Sequence, residues 1–143
     1  MVDKISALCE ANGVSLVYLF GSQALGGVAC LCGDAIVPSD DRLVDLDVGV
    51  VIQGSFPPAS DRHRLYSVLH NAFQDCFPCY RVDLAFLQEN HSVFQYEAIK
   101  GTCLYQASQE VRSEYEMRVL RLAADFRPVL NTFLREVLEE VSV

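Results

Sequence analysis

The stretch that decides the fold is LVYLFGSQALGG at residues 16–27, where an apolar run ends abruptly in a Gly-Ser step. Residues 16–20 have the length and composition of a buried β-strand. Gly21 and Ser22 end that strand, and a glycine-rich segment follows. A Gly-Ser step here either turns the chain or presents backbone amides and a hydroxyl to an anionic ligand. The neighbouring strands are needed to choose between these two interpretations.

Two further strands carry carboxylates in a regular pattern. Residues 44–52 read VDLDVGVVI, and their alternation places Asp45 and Asp47 on one face while the branched residues share the other. Residues 80–87 read YRVDLAFL and place Asp83 on the face opposite their apolar side chains. The sequence therefore predicts three aspartates on a small sheet, near the end of the first strand.

The connections between the strands predict how the sheet is built. The link after the second strand is long enough for a helical crossover, so the second and third strands should be parallel and the first two antiparallel. The remaining patterns predict a helix at 3–12, a loop at 21–43 with room for one short helical turn, and a crossover helix capped by Asp61. They also predict a helix at 91–100, an edge strand at 103–106 and a helical stripe that Pro128 breaks or kinks, with a final helix after it. We expect an α+β fold with a small mixed sheet and a helical C-terminus, in a single domain at 1–143 with a core of about 1–107 and C-terminal helices at about 108–143.

Composition and charge exclude several classes of protein. A chain that is 51% hydrophobic and 21% charged is typical of a globular domain and not of a disordered one. No apolar run reaches the roughly 20 residues of a membrane helix, and the first residues do not resemble a signal peptide, so a cytoplasmic protein is expected. The net charge of -8 argues against direct nucleic-acid binding and suits a protein that holds cations or docks on a basic partner.

The cysteines allow a separate hypothesis. All six are expected to be reduced thiols, since an apolar domain of this size does not need disulfides. Four of them form a CxC and a CxxC pair that could hold zinc if the fold brings the pairs together: Cys30, Cys32, Cys76 and Cys79.

Three carboxylates on a small sheet need compensation, because burying an unpaired charge costs several kcal/mol. Oxygen ligands from Asp45, Asp47 and Asp83 suit Mg²⁺, which keeps waters and takes phosphate oxygens. Two such ions can stabilise the attacking and leaving oxygens of a phosphoryl displacement. The alternative is a solvated face on which the first two aspartates pair with Arg42 or Arg81.

The combination of Gly21-Ser22, Asp45-Leu46-Asp47 and Asp83 resembles the DNA polymerase beta-like nucleotidyltransferase superfamily, specifically its minimal nucleotidyltransferase (MNT) branch. The resemblance spans nearly the whole chain. It includes the helical tail, which is similar to that of MNT antitoxins paired with HEPN-domain ribonuclease toxins.

The resemblance implies a role for each motif residue. Gly21 and Ser22 would bind the triphosphate of ATP, and Asp45 and Asp47 would hold two magnesium ions. Asp83 would be the third metal ligand and would accept the proton of the attacking hydroxyl. The implied reaction moves AMP from ATP to a hydroxyl, a tyrosine of the HEPN toxin in toxin-antitoxin members, and silences that toxin.

The sequence departs from the family pattern in two places. Leu25 stands where the family usually has arginine after the Gly-Ser step, and positions 23–44 form a spacer of 22 residues. Two alternatives therefore remain: a degenerate MNT fold that neutralises its partner by binding alone, and a small-molecule nucleotidyltransferase of the aminoglycoside-modifying type. The apolar stripes of the C-terminal helices could serve as core, as a homodimer interface or as a surface for the partner.

Overall fold

A four-stranded mixed sheet forms the centre of the molecule. The computed structural model describes residues 2–33 and 44–141. The strands are β1 (Val14–Phe20), β2 (Val44–Ile52), β3 (Tyr80–Phe86) and β4 (Thr102–Gln106). Their order is β3-β2-β1-β4, with β1 antiparallel to both neighbours and β2 parallel to β3. The predicted mixed sheet and both predicted strand orientations are confirmed.

Helices cover both faces of the sheet. They are α1 (Val2–Asn12), α2 (Ala24–Leu31), α3 (Ala59–Cys76), α4 (Ser92–Ile99) and α5 (Gln109–Val141), with a 3-10 turn at Leu87–Glu89. The first three pack on one face and α4 and α5 on the other. The expected α+β class is therefore confirmed, with the sheet between two helical layers. No helix in the described ranges has the length and apolar character needed to cross a bilayer.

The face under α1 and α3 holds the larger core. Ile5 of α1 and Leu69 and Phe73 of α3 are almost fully buried against alternate residues of β2 and β3. Each such side chain contributes about 1.5–3 kcal/mol by leaving water. This face fixes the crossover that makes β2 and β3 parallel, and so it sets the register of the aspartates on the opposite face.

The opposite face is closed by α4 and α5 around two buried tyrosines. The Tyr18 hydroxyl donates to Glu116 Oε1 at 2.8 Å, and the Tyr115 hydroxyl donates to Gln95 Oε1 at 2.7 Å. Burial, with a smaller contribution from the hydrogen bond to Glu116, raises the pKa of Tyr18 far above its ordinary value. Both tyrosines therefore act as neutral anchors for the C-terminal helix.

Three details of the predicted elements are wrong. The predicted loop at 21–43 contains the helix α2, and residues 34–43 lie outside the described part of the chain. Helix α3 begins at Ala59 with Pro58 at its N-cap position, so Asp61 is not the cap. A single helix runs through Pro128, where two helices were expected.

Candidate functional site

The site is organised by the register of three neighbouring strands. Phe20 of β1 lies opposite Asp47 of β2, and Asp47 lies opposite Asp83 of β3. Residues paired in this way point to the same face of a sheet. Two carboxylates are therefore side by side at the point where β1 ends, as the alternation in the sequence predicts.

The environment of Asp47 disfavours its negative charge. Burial is the largest cause that raises the pKa of Asp47, followed by the negative charges of Asp83 and Asp45 and a hydrogen bond with Asp83. Carboxylates crowded in this way repel one another unless a cation is present. The site thus has the electrostatic character of a cation-binding position.

Asp45 is placed differently from the other two. It lies opposite Arg81 in the register, and its Oδ1 accepts from Arg81 Nε at 2.5 Å. That hydrogen bond is the largest cause that raises the pKa of Arg81. Within residues 2–33 and 44–141, no three His, Cys, Asp or Glu side chains lie close enough together to hold a metal ion. The structure therefore brings Asp47 and Asp83 together and directs Asp45 to Arg81, the pairing that the solvated-face alternative anticipated.

Gly21 lies directly against the Asp47 carboxylate. Its φ is +78°, a conformation that L side chains rarely adopt, and a Cβ built on it would collide with Asp47 Oδ2. A glycine is thus required on two independent grounds. The predicted proximity of the Gly-Ser step to the carboxylates is confirmed for Gly21.

The amides that follow Gly21 begin helix α2. Ser22 is exposed, and its Oγ lies 3.5 Å from Gln23 Nε2. The Ala24 amide donates to the Gly21 carbonyl at 3.4 Å, whereas amides in the first turn of a helix have no acceptor within the helix itself. These amides and the positive end of the helix dipole favour an anion beside Gly21.

A cavity of about 380 Å³ adjoins this corner. Its lining combines Gly21, Ala24 and Leu25 from the segment after β1 with Glu97 and Lys100 from the end of α4. Leu25 is 82% exposed at its rim. Lys100 carries no motif signal in the sequence, because its position depends on how α4 packs on β1.

The four cysteines of the zinc hypothesis do not form one cluster. Cys30 and Cys79 are close enough for the charge of Cys79 to raise the pKa of Cys30, although burial is the larger cause. Cys76 is buried in the core, and Cys32 is exposed. All four lie in the described ranges, and no group of three or more metal-binding side chains is found there, so the structure does not support the zinc hypothesis. Cys76, the first cysteine of the CxxC pair, is the last residue of α3 and packs in the core.

The raised pKa of Asp47 predicts a pH-dependent stability. Because the folded-state pKa lies above the ordinary value of 3.8, the protonated carboxyl favours the folded chain, and this contribution is lost as the pH rises through the folded pKa. We expect Asp47→Asn to leave the free energy of unfolding unchanged near pH 3, below the ordinary pKa, and to raise it by less than about 1 kcal/mol near pH 7. Urea unfolding at both pH values measures the difference. An Asn variant less stable than the natural protein at neutral pH would contradict this electrostatic account.

Comparisons with known proteins show which proteins this chain is similar to. The family model described as Polymerase beta, Nucleotidyltransferase matches residues 3–110. A chain in the structure of a toxin-antitoxin with AMP-PNP is 20% identical, with a TM-score of 0.59, over 93% of this chain and 98% of that one. A chain in the structure of a tri-AMPylated Shewanella oneidensis HEPN toxin in complex with MNT antitoxin is 18% identical, with a TM-score of 0.55, over 93% and 95% of the two chains.

A third similar structure is that of the toxin-antitoxin MntA-HepT. It is 18% identical with a TM-score of 0.55, over 93% of this chain and 96% of that one. At these identities the likeness shows a shared fold. A comparison with curated protein sequences finds no match.

Proposed function

Since this chain belongs to the polymerase beta nucleotidyltransferase family, we propose that it is an MNT antitoxin that transfers AMP from ATP to a HEPN-domain toxin. The proposal depends on one observation. Phe20, Asp47 and Asp83 lie opposite one another on three neighbouring strands, so that two carboxylates lie beside the Gly21 turn. The similar structures support the choice of partner, because they are toxin-antitoxin complexes and one contains an AMPylated HEPN toxin.

Magnesium fits the donor set. Asp47 and Asp83 offer adjacent carboxylate oxygens, the ligand type that Mg²⁺ prefers, and a cation would relieve the repulsion that raises the pKa of Asp47. Asp45 lies on the same face and would join them by leaving Arg81, since both partners of that pair are more than half exposed. Two ions held by these three aspartates would supply Lewis-acid stabilisation of the phosphoryl group.

The Gly-Ser corner would hold the triphosphate. Gly21 touches the Asp47 carboxylate and also lines the neighbouring cavity, so a phosphate chain would lie across this residue. The Ser22 hydroxyl and the first-turn amides of α2 would donate to phosphate oxygens. This arrangement leaves the α-phosphate on the side of the carboxylates.

The reaction then requires a hydroxyl beside Asp83, which is exposed to solvent at the outer strand of the sheet. The hydroxyl oxygen, from a tyrosine of the toxin, would bond to the α-phosphorus while the bond to the bridging oxygen of the β-phosphate breaks. Asp83 would accept the hydroxyl proton, and pyrophosphate would leave. A groove of about 540 Å³ between α3 and β3 reaches Ala85, two residues beyond Asp83, and offers the acceptor segment an approach.

The outer surface of α5 would contact the partner. Its exposed apolar side chains are Met117, Leu120, Leu122, Leu134, Val137 and Leu138. Large apolar side chains grouped on one helix are typical of an interaction surface. We propose the HEPN toxin as the protein that covers them, with a homodimer as the alternative occupant.

Two differently labelled ATP samples test the proposed reaction. With Mg²⁺ and the HEPN-domain protein encoded beside this chain, label on the α-phosphate should enter the toxin, and label on the γ-phosphate should appear in pyrophosphate. Label that enters the toxin from the γ-phosphate would contradict nucleotidyl transfer. A tight complex without transfer would favour the antitoxin that acts by binding alone, and transfer to an aminoglycoside would favour the small-molecule enzyme.

A further inference from the structure

The cavity beside Gly21 is lined by a positively charged side chain, that of Lys100, to which no sequence motif gives a role. Lys100 lines this cavity together with Leu25, which stands where the family resemblance expects arginine. We propose that Lys100 binds the β- and γ-phosphates of the nucleotide and supplies the cation that position 25 lacks. This inference rests on the proposed function and names the residue that selects a triphosphate.

The position of Lys100 is fixed by the packing of its neighbours. Its amide donates to the Tyr96 carbonyl at 3.2 Å and so closes the last turn of α4. The next residue, Gly101, packs so closely on β1 that a Cβ there would lie 2.9 Å from the Phe20 Cα and would collide with the Leu19 carbonyl oxygen. The end of α4 is therefore seated on the residue that precedes Gly21.

Lys100 also lies on the same face of the sheet as the carboxylates. Phe94 of α4 packs edge-on against Phe20, with ring centroids 5.6 Å apart, and Phe20 is the register partner of Asp47. Gly21 thus touches the Asp47 carboxylate and shares a cavity with Lys100 on one surface. A triphosphate that spans this turn would meet divalent cations at one end and a lysine at the other, which suits its charge distribution.

The ammonium group has a partner that a phosphate could replace. Its Nζ lies 2.9 Å from Glu97 Oε1 and 5.0 Å from the centre of the Tyr96 ring, and half of the Lys100 side chain is exposed. Exposed ion pairs of this kind contribute little to stability, so exchange of Glu97 for phosphate costs little. Glu97 also lines the cavity, where its charge would oppose a phosphate.

The nucleotide affinities of matched variants test this inference. In the presence of Mg²⁺, we expect Lys100→Ala to weaken ATP binding about tenfold and AMP binding by less than about twofold. Lys100→Arg should retain ATP affinity, and Glu97→Gln should increase it by about two- to fivefold. Arg64→Ala, which removes an exposed cation from α3 on the other face, should bind ATP as the natural protein does.

A second-site variant separates a phosphate contact from a structural role. If Lys100 supplies the cation that position 25 lacks, then Leu25→Arg added to Lys100→Ala should restore most of the ATP affinity. Unchanged ATP binding in Lys100→Ala would overturn the inference while leaving the proposed transfer intact. A natural protein that binds ATP through Lys100 but transfers no AMP would overturn the proposed reaction alone, and one that does not bind ATP would overturn both.

Discussion

Asp47→Asn is expected to reduce AMP transfer at least about a thousandfold, because it removes a carboxylate that would hold magnesium in the proposed reaction and, with it, several kcal/mol of transition-state stabilisation. Asp47 lies at the centre of the site: it is next to Asp83 in the register and in contact with the Gly21 turn. The substitution replaces one carboxylate oxygen by nitrogen and keeps the size of the side chain. Transfer of labelled AMP in single-turnover conditions measures the effect.

The matched control for this substitution is Asp75→Asn. Asp75 is exposed on α3, on the opposite side of the sheet, so its removal changes the net charge equally without touching the site. We expect full transfer by this variant. Equal losses in the two variants would assign the effect to net charge, and full activity of the Asp47 variant would remove Asp47 from the reaction.

Gly21→Ala is expected to reduce transfer about a hundredfold, because the new methyl group must displace the Asp47 carboxylate from its position. The positive φ at this position adds about 1–2 kcal/mol of backbone strain, so the variant should also be less stable. Unfolding in urea and labelled transfer measure the two effects separately.

Gly13→Ala is the control that separates the effect of backbone strain from the effect of the collision with Asp47. Gly13 has a φ of +67°, similar to that of Gly21, but a Cβ there meets no atom within 4 Å. It should therefore lose a similar free energy of unfolding, about 1–2 kcal/mol, and keep its activity within about twofold. If both glycine variants lose activity in proportion to their stability, the contact between Gly21 and Asp47 has no special role.

The sequence is sufficient to predict which face the aspartates occupy. Side-chain direction in a strand follows from its period of two, so the alternation of β2 and β3 places Asp47 and Asp83 on one face without any tertiary information. The pairing of Asp45 could be narrowed to Arg42 or Arg81 from the sequence but could not be decided from the strand pattern. It depends on Arg81 lying opposite, and that register is set by the core under α3 rather than by a local pattern.

The full length of helix α2 could not be predicted from the sequence, because its glycines are typical of loops. In the structure a Cβ at Gly27 would lie 2.9 Å from Leu19 and 3.0 Å from Leu46, so this glycine allows the helix to approach the sheet. Close packing of this kind is a tertiary property. The position of Lys100 could not be predicted for the same reason, since Lys100 lines the cavity beside Gly21 because Gly101 packs on β1.

The proposed AMP transfer can be read from the intact mass of the HEPN toxin. After incubation with this protein, ATP and Mg²⁺, we expect the toxin to gain the mass of one or more AMP groups on tyrosine, and to gain none with the Asp47→Asn variant. A toxin of unchanged mass, held in a stable complex with the natural protein that has bound ATP, would contradict the claim.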